Sequence, residues 1–314
     1  MQKNKLSLKG KDIVSIDQLN KEIIFEIFKT TDVIKKQIKL NKPINDLKGK
    51  IVTLLFFEPS SRTFSSFSAA IKKLGGQTIE YQNPLQTSSA IKGETLEDSI
   101  KVFATYSDAI IMRHFQNGAA QRAANATDKP FINAGDGSGE HPTQALLDMY
   151  TIYKKQGTLN GLIGLMAGDL LYGRTIHSLL KGLSYFSNNT IYLLAPKRLR
   201  LPNDFIEKIS KKIKLIVINN ENEIPKNCHF WYWTRVQKER ISDLKEYEKI
   251  KNAFIITPEL LKKYGNNKLI IMHPLPRIGE IDERIDSDPR ALYLRDQIQN
   301  GLYARMALLK LILK

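Results

Sequence analysis

The sequence has almost no cysteine. A single thiol, Cys228, excludes an intrachain disulfide. The five histidines (His114, His141, His177, His229 and His273) lack the close spacing of metal ligands, so no metal and no other cofactor is expected. No apolar run approaches the length that crosses a bilayer. The start, Met-Gln-Lys-Asn-Lys, leads into no signal-type apolar segment. A cytoplasmic protein with no membrane partner is the expectation. Gly164 and Gly168 do not form G-x-G-x-x-G, so the dinucleotide fingerprint is missing. No Ser-His-Asp order and no paired carboxylates are evident, which disfavours covalent and glycosidase-type chemistry. Internal repeats and low-complexity tracts are also absent.

Acids are scarce relative to bases: 32 Asp and Glu stand against 48 Lys and Arg, a net charge of +16. Such an excess can signal nucleic acid. Here the lysines are dispersed through amphipathic helices, as on a solvated surface. Trp231, Tyr232 and Trp233 read as strand and core rather than a base-stacking platform. No nucleic-acid partner is expected. The positive field suits an anionic small substrate.

What is present is organised around one stretch. Lys50 to Phe57 is an apolar run suited to a buried strand. Glu58-Pro59 breaks it, and Ser60, Ser61, Arg62 and Thr63 follow. A helical pattern through Phe67, Ala70, Ile71 and Leu74 then ends at Gly75-Gly76. Hydroxyls and a guanidinium thus sit where a strand gives way to a helix. Free N–H groups and the positive end of the helix dipole make that junction an anion site, and the side-chain donors make it a phosphate site. An ordinary Ser N-cap beside a solvated Arg is the competing account.

Upstream, Ser15-Ile16-Asp17-Gln18 resembles a capping box, and apolar spacing predicts a helix from about Asp17 to Ile38. Downstream, strand and helix alternate. The alternation restarts after Gln156-Gly157, and a long helix is predicted from Pro289 to Leu313. The class is therefore α/β with parallel sheets. Ligands of such sheets bind beyond the carboxyl ends of the strands. Polar clusters fall there: Ser60 to Thr63, Arg113-His114, His141 to Gln144, Arg174, Arg235 to Gln237, and His273 to Pro276. Arg62, Arg113, Arg174 and Arg235, with Lys92, imply ligands carrying several negative charges. A phosphate cradle, groups able to polarise a carbonyl oxygen, an orienting amide and two carboxylate clamps fit group transfer by positioning and electrostatics.

Seven motifs in order resemble the aspartate/ornithine carbamoyltransferase family, in its aspartate-using branch. They are Phe56-Phe57-Glu58-Pro59-Ser60-Ser61-Arg62-Thr63, Met112-Arg113-His114, Asn133 to Gly137, His141-Pro142-Thr143-Gln144, Gly168-Asp169-Leu170 with Tyr172-Gly173-Arg174-Thr175, Thr234 to Arg240, and His273 to Arg277. The resemblance covers essentially the whole chain.

It implies two doubly wound parallel-sheet domains joined by two long interdomain helices. A carbamoyl-phosphate-binding domain spans 1–142, completed by 290–314, and an aspartate-binding domain spans 143–289. Ser60, Ser61, Arg62 and Thr63 are implied to bind the phosphate of carbamoyl phosphate. Thr63, Arg113 and His141 approach its carbonyl oxygen. Gln144 and the backbone carbonyls of Pro274 and Leu275 hold its amino group. Arg174, Arg235 and Gln237 hold the carboxylates of L-aspartate. Ser88 and Lys92 enter the site of a neighbouring chain in a homotrimer. Carbamoyl aspartate, an early intermediate of pyrimidine synthesis, is the implied product. Regulatory chains or other pathway enzymes are candidate partners.

Three positions depart from the family pattern; at Ser61 the family often has Thr, and the hydroxyl is kept. A basic residue is common where this chain has Phe64, and a Glu where it has Ser68. Their i, i+4 spacing suggests that a surface pair has been lost together. His177, His229, Arg122, Arg240 and Arg295 are expected to be structural, His273 to orient its loop, and Cys228 to be a buried thiol. An ornithine carbamoyltransferase is the nearest rival. That branch carries a cysteine in the segment matching His273-Pro274-Leu275-Pro276, and Arg235 would repel a cationic substrate.

Overall fold

The computed structural model describes residues 7–84, 93–241, 243–251 and 253–314. The chain divides into two compact units, 1–147 with 300–314, and 148–299. The crossings fall inside helices, several residues beyond the starts expected from the sequence. Thr143, Ala145, Leu146 and Leu147, all buried, fall in the first unit.

In the first unit, helix α1 (Lys21–Lys39) precedes β1 (Ile51–Phe56), α2 (Ser61–Lys73), β2 (Gln77–Gln82), α3 (Leu96–Tyr106), β3 (Ala109–His114), α4 (Ala119–Asn125) and β4 (Phe131–Asp136). Helix α5 (Pro142–Gln156) follows. The four strands form one sheet in the order β2-β1-β3-β4, and every pairing is parallel. β1 is a central strand whose Val52 to Phe56 are all buried, which is why it reads as an unbroken apolar run. Leu55, Ile100, Ile110, Met112, Ala120 and Phe131 pack into one core cluster.

The capping box at Ser15 forms as expected, with the Gln18 side chain accepting back to the cap. It closes only a 3₁₀ turn, Ile16–Gln18. Asn20 then caps α1 separately, accepting the Ile23 N–H at 2.9 Å. The single helix predicted from Asp17 is therefore a turn and a helix, because two capping side chains compete within one apolar period.

The second unit contains β5 (Ile163–Ala167), α6 (Arg174–Leu183), β6 (Thr190–Leu194), α7 (Asn203–Ser210), β7 (Lys214–Ile218), β8 (Phe230–Trp233), α8 (Leu244–Ile250), α9 (Pro258–Tyr264) and β9 (Ile270–Met272). Its parallel sheet runs β7-β6-β5-β8-β9. Trp231, Tyr232 and Trp233 are fully buried, as a core strand requires. Each such side chain contributes about 2–3 kcal/mol of apolar burial. Cys228 is buried and its thiol is pushed up to about 12 by that burial. The last helix, α10 (Asp296–Leu313), starts later than Pro289. Ala291 instead lies opposite Ile271 in a parallel bridge, with the Ile271 N–H donating to the Arg290 carbonyl and the Leu292 N–H to the Ile271 carbonyl. Among the described residues no helix is long and apolar enough to cross a membrane.

Each sheet has a point where the connections leave in opposite directions. In the first it lies between β1 and β3, and in the second between β5 and β8. Ligand sites of doubly wound sheets form at such switch points, beyond the carboxyl strand ends.

Candidate active site

In the first unit, β1 and β3 pair so that Phe56 lies opposite Arg113. Ser60 is the N-cap of α2 in position, with extended backbone, yet its side chain makes no capping bond. The ordinary Ser-cap account fails on that observation. Ser60, Ser61, Arg62 and Thr63 thus stand together where β1 gives way to α2. Ser61 and Arg62 are exposed, while Thr63 is 8% exposed.

Arg113 is the penultimate residue of β3, and one of its nitrogens lies 3.0 Å from Glu58 Oε2. Another donates to the Ala134 carbonyl at 3.4 Å. The Phe57 N–H donates to the Arg113 carbonyl at 2.8 Å, which holds the two strand ends in step. On the other side, His114 pairs with Asp136 of β4. His141 and Gln144 open α5 and are buried at 4% and 9% exposure. The Gln144 N–H donates to the His141 carbonyl at 3.0 Å. His141 Nδ1 sits 3.4 Å from Thr143 Oγ1. The loop before them is pinned by Asp136, which accepts the N–H groups of Gly118 and Ala120. The sheet thus brings Ser60 to Thr63, Arg113, His141 and Gln144 to the ends of neighbouring strands. Burial foremost, and the Arg122 charge next, push the His114 pKa down to about 4, and its Nδ1 accepts the Gln116 N–H at 3.0 Å.

In the second unit, Arg174 opens α6 after β5, and Arg235 with Gln237 follows β8. Pro274 and Leu275 follow β9. These three strands are adjacent, so the loops share one edge. Gly168 makes the β5 exit possible. Its φ is +105°, and a Cβ there would lie 2.0 Å from the Thr234 carbonyl oxygen.

Arg235 forms a two-pronged ion pair with Glu239. The Glu239 bonds raise its pKa further. Gln237 opens a 3₁₀ turn without capping it, so its amide has no structural task at that turn. Leu275 has a φ of +55°, which a branched side chain rarely adopts. His273 holds it there, with Nδ1 accepting the Leu275 N–H at 2.8 Å. Nε2 of His273 lies 2.7 Å from Glu280 Oε1. Burial, against the pull of Glu280, lowers the His273 pKa. His273 therefore orients its loop, as expected.

Several acids in these motifs carry roles the sequence reading did not assign. Glu58 holds Arg113 and Glu239 holds Arg235, so any substrate anion meets each arginine in competition with a carboxylate. The i, i+4 spacing of Arg235 and Glu239 was the available signal. Asp169, fully buried, accepts the N–H groups of Tyr172 and Gln237. Ser88 and Lys92 lie outside the described residues.

The Phe64 and Ser68 expectation needs correction: neither is a surface position. Phe64 is 8% exposed and meets Phe56 edge-on at 5.2 Å. Ser68 Oγ donates to Glu80 Oε1 at 2.6 Å. Thr78 Oγ1 and Lys72 Nζ reach the same oxygen at 2.7 and 3.1 Å. Glu80 on β2 thus gathers three donors at one oxygen.

Comparison with protein families matches residues 11–154 to the aspartate/ornithine carbamoyltransferase carbamoyl-P binding domain, and 160–312 to the Asp/Orn binding domain. The chain belongs to the aspartate/ornithine carbamoyltransferase family. It is 44% identical over 310 residues to the aspartate carbamoyltransferase catalytic subunit of Azobacteroides pseudotrichonymphae, covering 96% of this chain and 98% of that one. It is 45% identical over 307 residues to the multifunctional protein pyr1-3 of Dictyostelium discoideum, covering 98% of this chain but only 14% of that protein. Among solved structures, an aspartate transcarbamoylase from Trypanosoma cruzi in complex with carbamoyl phosphate and aspartate superposes with a TM-score of 0.92 at 37% identity. The match covers 98% of both chains. As a carbamoyltransferase of this family, the chain has both of the family's domains and the two parallel sheets expected from its sequence.

Proposed function

We propose that this chain transfers the carbamoyl group of carbamoyl phosphate to the amine of L-aspartate, giving N-carbamoyl-L-aspartate and phosphate. One observation carries the reading. The uncapped start of α2, with Ser60, Ser61, Arg62 and Thr63 together, forms an anion cradle at the switch point of a family-matched sheet. The first unit binds carbamoyl phosphate and the second binds aspartate. Ser60, Ser61, Arg62 and Thr63 hold the phosphate. Thr63, Arg113 and His141 face the carbonyl oxygen, where negative charge develops. Gln144 and the carbonyls of Pro274 and Leu275 take the amino group. Arg174, Arg235 and Gln237 take the carboxylates of aspartate. The amine attacks the carbamoyl carbon and a tetrahedral intermediate forms. The carbon–oxygen bond to phosphate then breaks, and the leaving phosphate accepts the amine's proton.

A homotrimer with shared sites, to which Ser88 and Lys92 of a neighbour contribute, completes this reading. Val102 and Tyr106 on α3, at 42% and 57% exposure, give the first unit an apolar surface suited to such an assembly. A cytoplasmic place in pyrimidine synthesis is consistent with one buried, unpaired thiol. The ornithine reading is disfavoured by Arg235 and by the absence of cysteine from His273 to Pro276. Carbamoylation assays offering aspartate and ornithine in parallel test the choice. Turnover of aspartate supports it, and turnover of ornithine alone overturns it.

A further inference from the structure

We propose that the buried chain Asp148–Gln297–His273 positions the backbone carbonyls of Pro274 and Leu275, and thereby sets affinity for the carbamoyl end of the donor rather than for its phosphate. All of these residues belong to the second unit. Asp148 is fully buried on α5. Its Oδ1 accepts Gln297 Nε2 at 2.7 Å, and its Oδ2 accepts the Tyr232 hydroxyl at 2.8 Å. Gln297 Oε1 accepts the backbone N–H of His273 at 3.0 Å. His273 Nδ1 accepts the Leu275 N–H, which makes Nε2 the protonated nitrogen facing Glu280.

Each donor in this chain is dictated by its neighbour. A carboxylate at Asp148 only accepts, so Gln297 must turn its NH2 toward it. The Gln297 oxygen is then committed to the His273 N–H at the exit of β9. Gln297 and His273 are each 2% exposed, so water does not replace a lost partner easily. The His273 imidazole in turn holds Leu275 at its positive φ. Side chains beyond reach of any ligand thus fix two carbonyls that a carbamoyl NH2 would meet. Inorganic phosphate has no NH2 and does not use them. The inference rests on the donor being carbamoyl phosphate.

Gln297→Glu tests it. Its new carboxylate oxygen faces that of Asp148, and the repulsion displaces the oxygen that accepts the His273 N–H. Binding of carbamoyl phosphate and of inorganic phosphate is measured by calorimetry, with Tm followed alongside. Carbamoyl phosphate should bind roughly tenfold more weakly, with phosphate affinity unchanged. The double variant Asp148→Asn with Gln297→Glu restores a matched chain. The introduced asparagine amide then donates its N–H to the new carboxylate, and its oxygen still accepts from Tyr232. It should recover carbamoyl phosphate affinity to within a few-fold of wild type. Gln297→Met, neutral and similar in length, serves if the charged single variant does not fold, with the same selective loss expected. Parallel weakening of both ligands, or of neither, overturns the proposal and leaves the network a purely structural one. A wild-type protein that binds phosphate but not carbamoyl phosphate instead removes the parent reading, and this one with it.

Discussion

The Asp169 carboxylate accepts the backbone N–H of Gln237 at 3.3 Å, joining the loop after β5 to the loop after β8. Its other oxygen accepts the Tyr172 N–H at 2.9 Å, two residues before Arg174. One buried acid therefore fixes the backbone near Arg174 and at Gln237. Burial pushes its pKa up to about 6, against the N–H donors and the Arg235 charge.

That shift has a defined sign. Between about pH 4 and 6 the folded protein keeps a proton on Asp169 that the unfolded chain has released. The group favours folding most below about pH 4, and its contribution falls as pH rises through 6, by about 3 kcal/mol in all. Asp169→Asn should remove this slope. Urea unfolding of both proteins at several pH values from 4 to 7 measures it, and parallel curves would contradict the assignment.

Arg62→Ala should abolish measurable turnover, a loss of at least about a hundredfold, because it removes the charge-assisted phosphate contact that the proposed function assigns to Arg62. Steady-state assays at saturating aspartate measure it. Near-normal activity would refute the cradle at the start of α2.

A homotrimer with shared sites predicts complementation. Lys92→Ala and Arg62→Ala chains, each inactive alone, should regain activity when unfolded together and reassembled. With one residue from each of two neighbours per site, random mixing at equal amounts makes about a quarter of sites native. Correctly assembled mixtures that stay inactive would argue against sharing.

Restoring the family's residues at Phe64 and Ser68 should harm this chain. Phe64→Arg with Ser68→Glu buries a cation beside Phe56 and sets a carboxylate against Glu80. A loss of about 2 kcal/mol or more is expected, since the Ser68–Glu80 bond is also removed. Thermal unfolding measures it. A double variant as stable as the parent would show that Glu80 does not fill the role assigned here.

The sequence disclosed most of this fold because the strands are buried on both faces and read as apolar runs, Leu54 to Phe57 most clearly. Ser60 to Thr63 stood out because hydroxyls and arginine follow such a run almost at once. Partner acids were harder to see. Glu58 and Asp169 lie inside recognised motifs, yet their roles depend on which strands are neighbours, and pairing is a long-range property. Asp148 and Gln297 are far apart in sequence, so their contact had no local signal at all. Phe64 and Ser68 misled because a helix period identifies a shared face without saying whether that face is covered.

The proposed function requires one ligand to engage residues of both strand-end sets. Binding of N-(phosphonacetyl)-L-aspartic acid to wild type, Arg62→Ala and Arg235→Ala tests it most directly. Calorimetry should show tight binding to wild type and a loss of roughly a hundredfold or more in each variant, one truncating the phosphate cradle and the other a carboxylate clamp. Unchanged affinity in either variant would contradict the account.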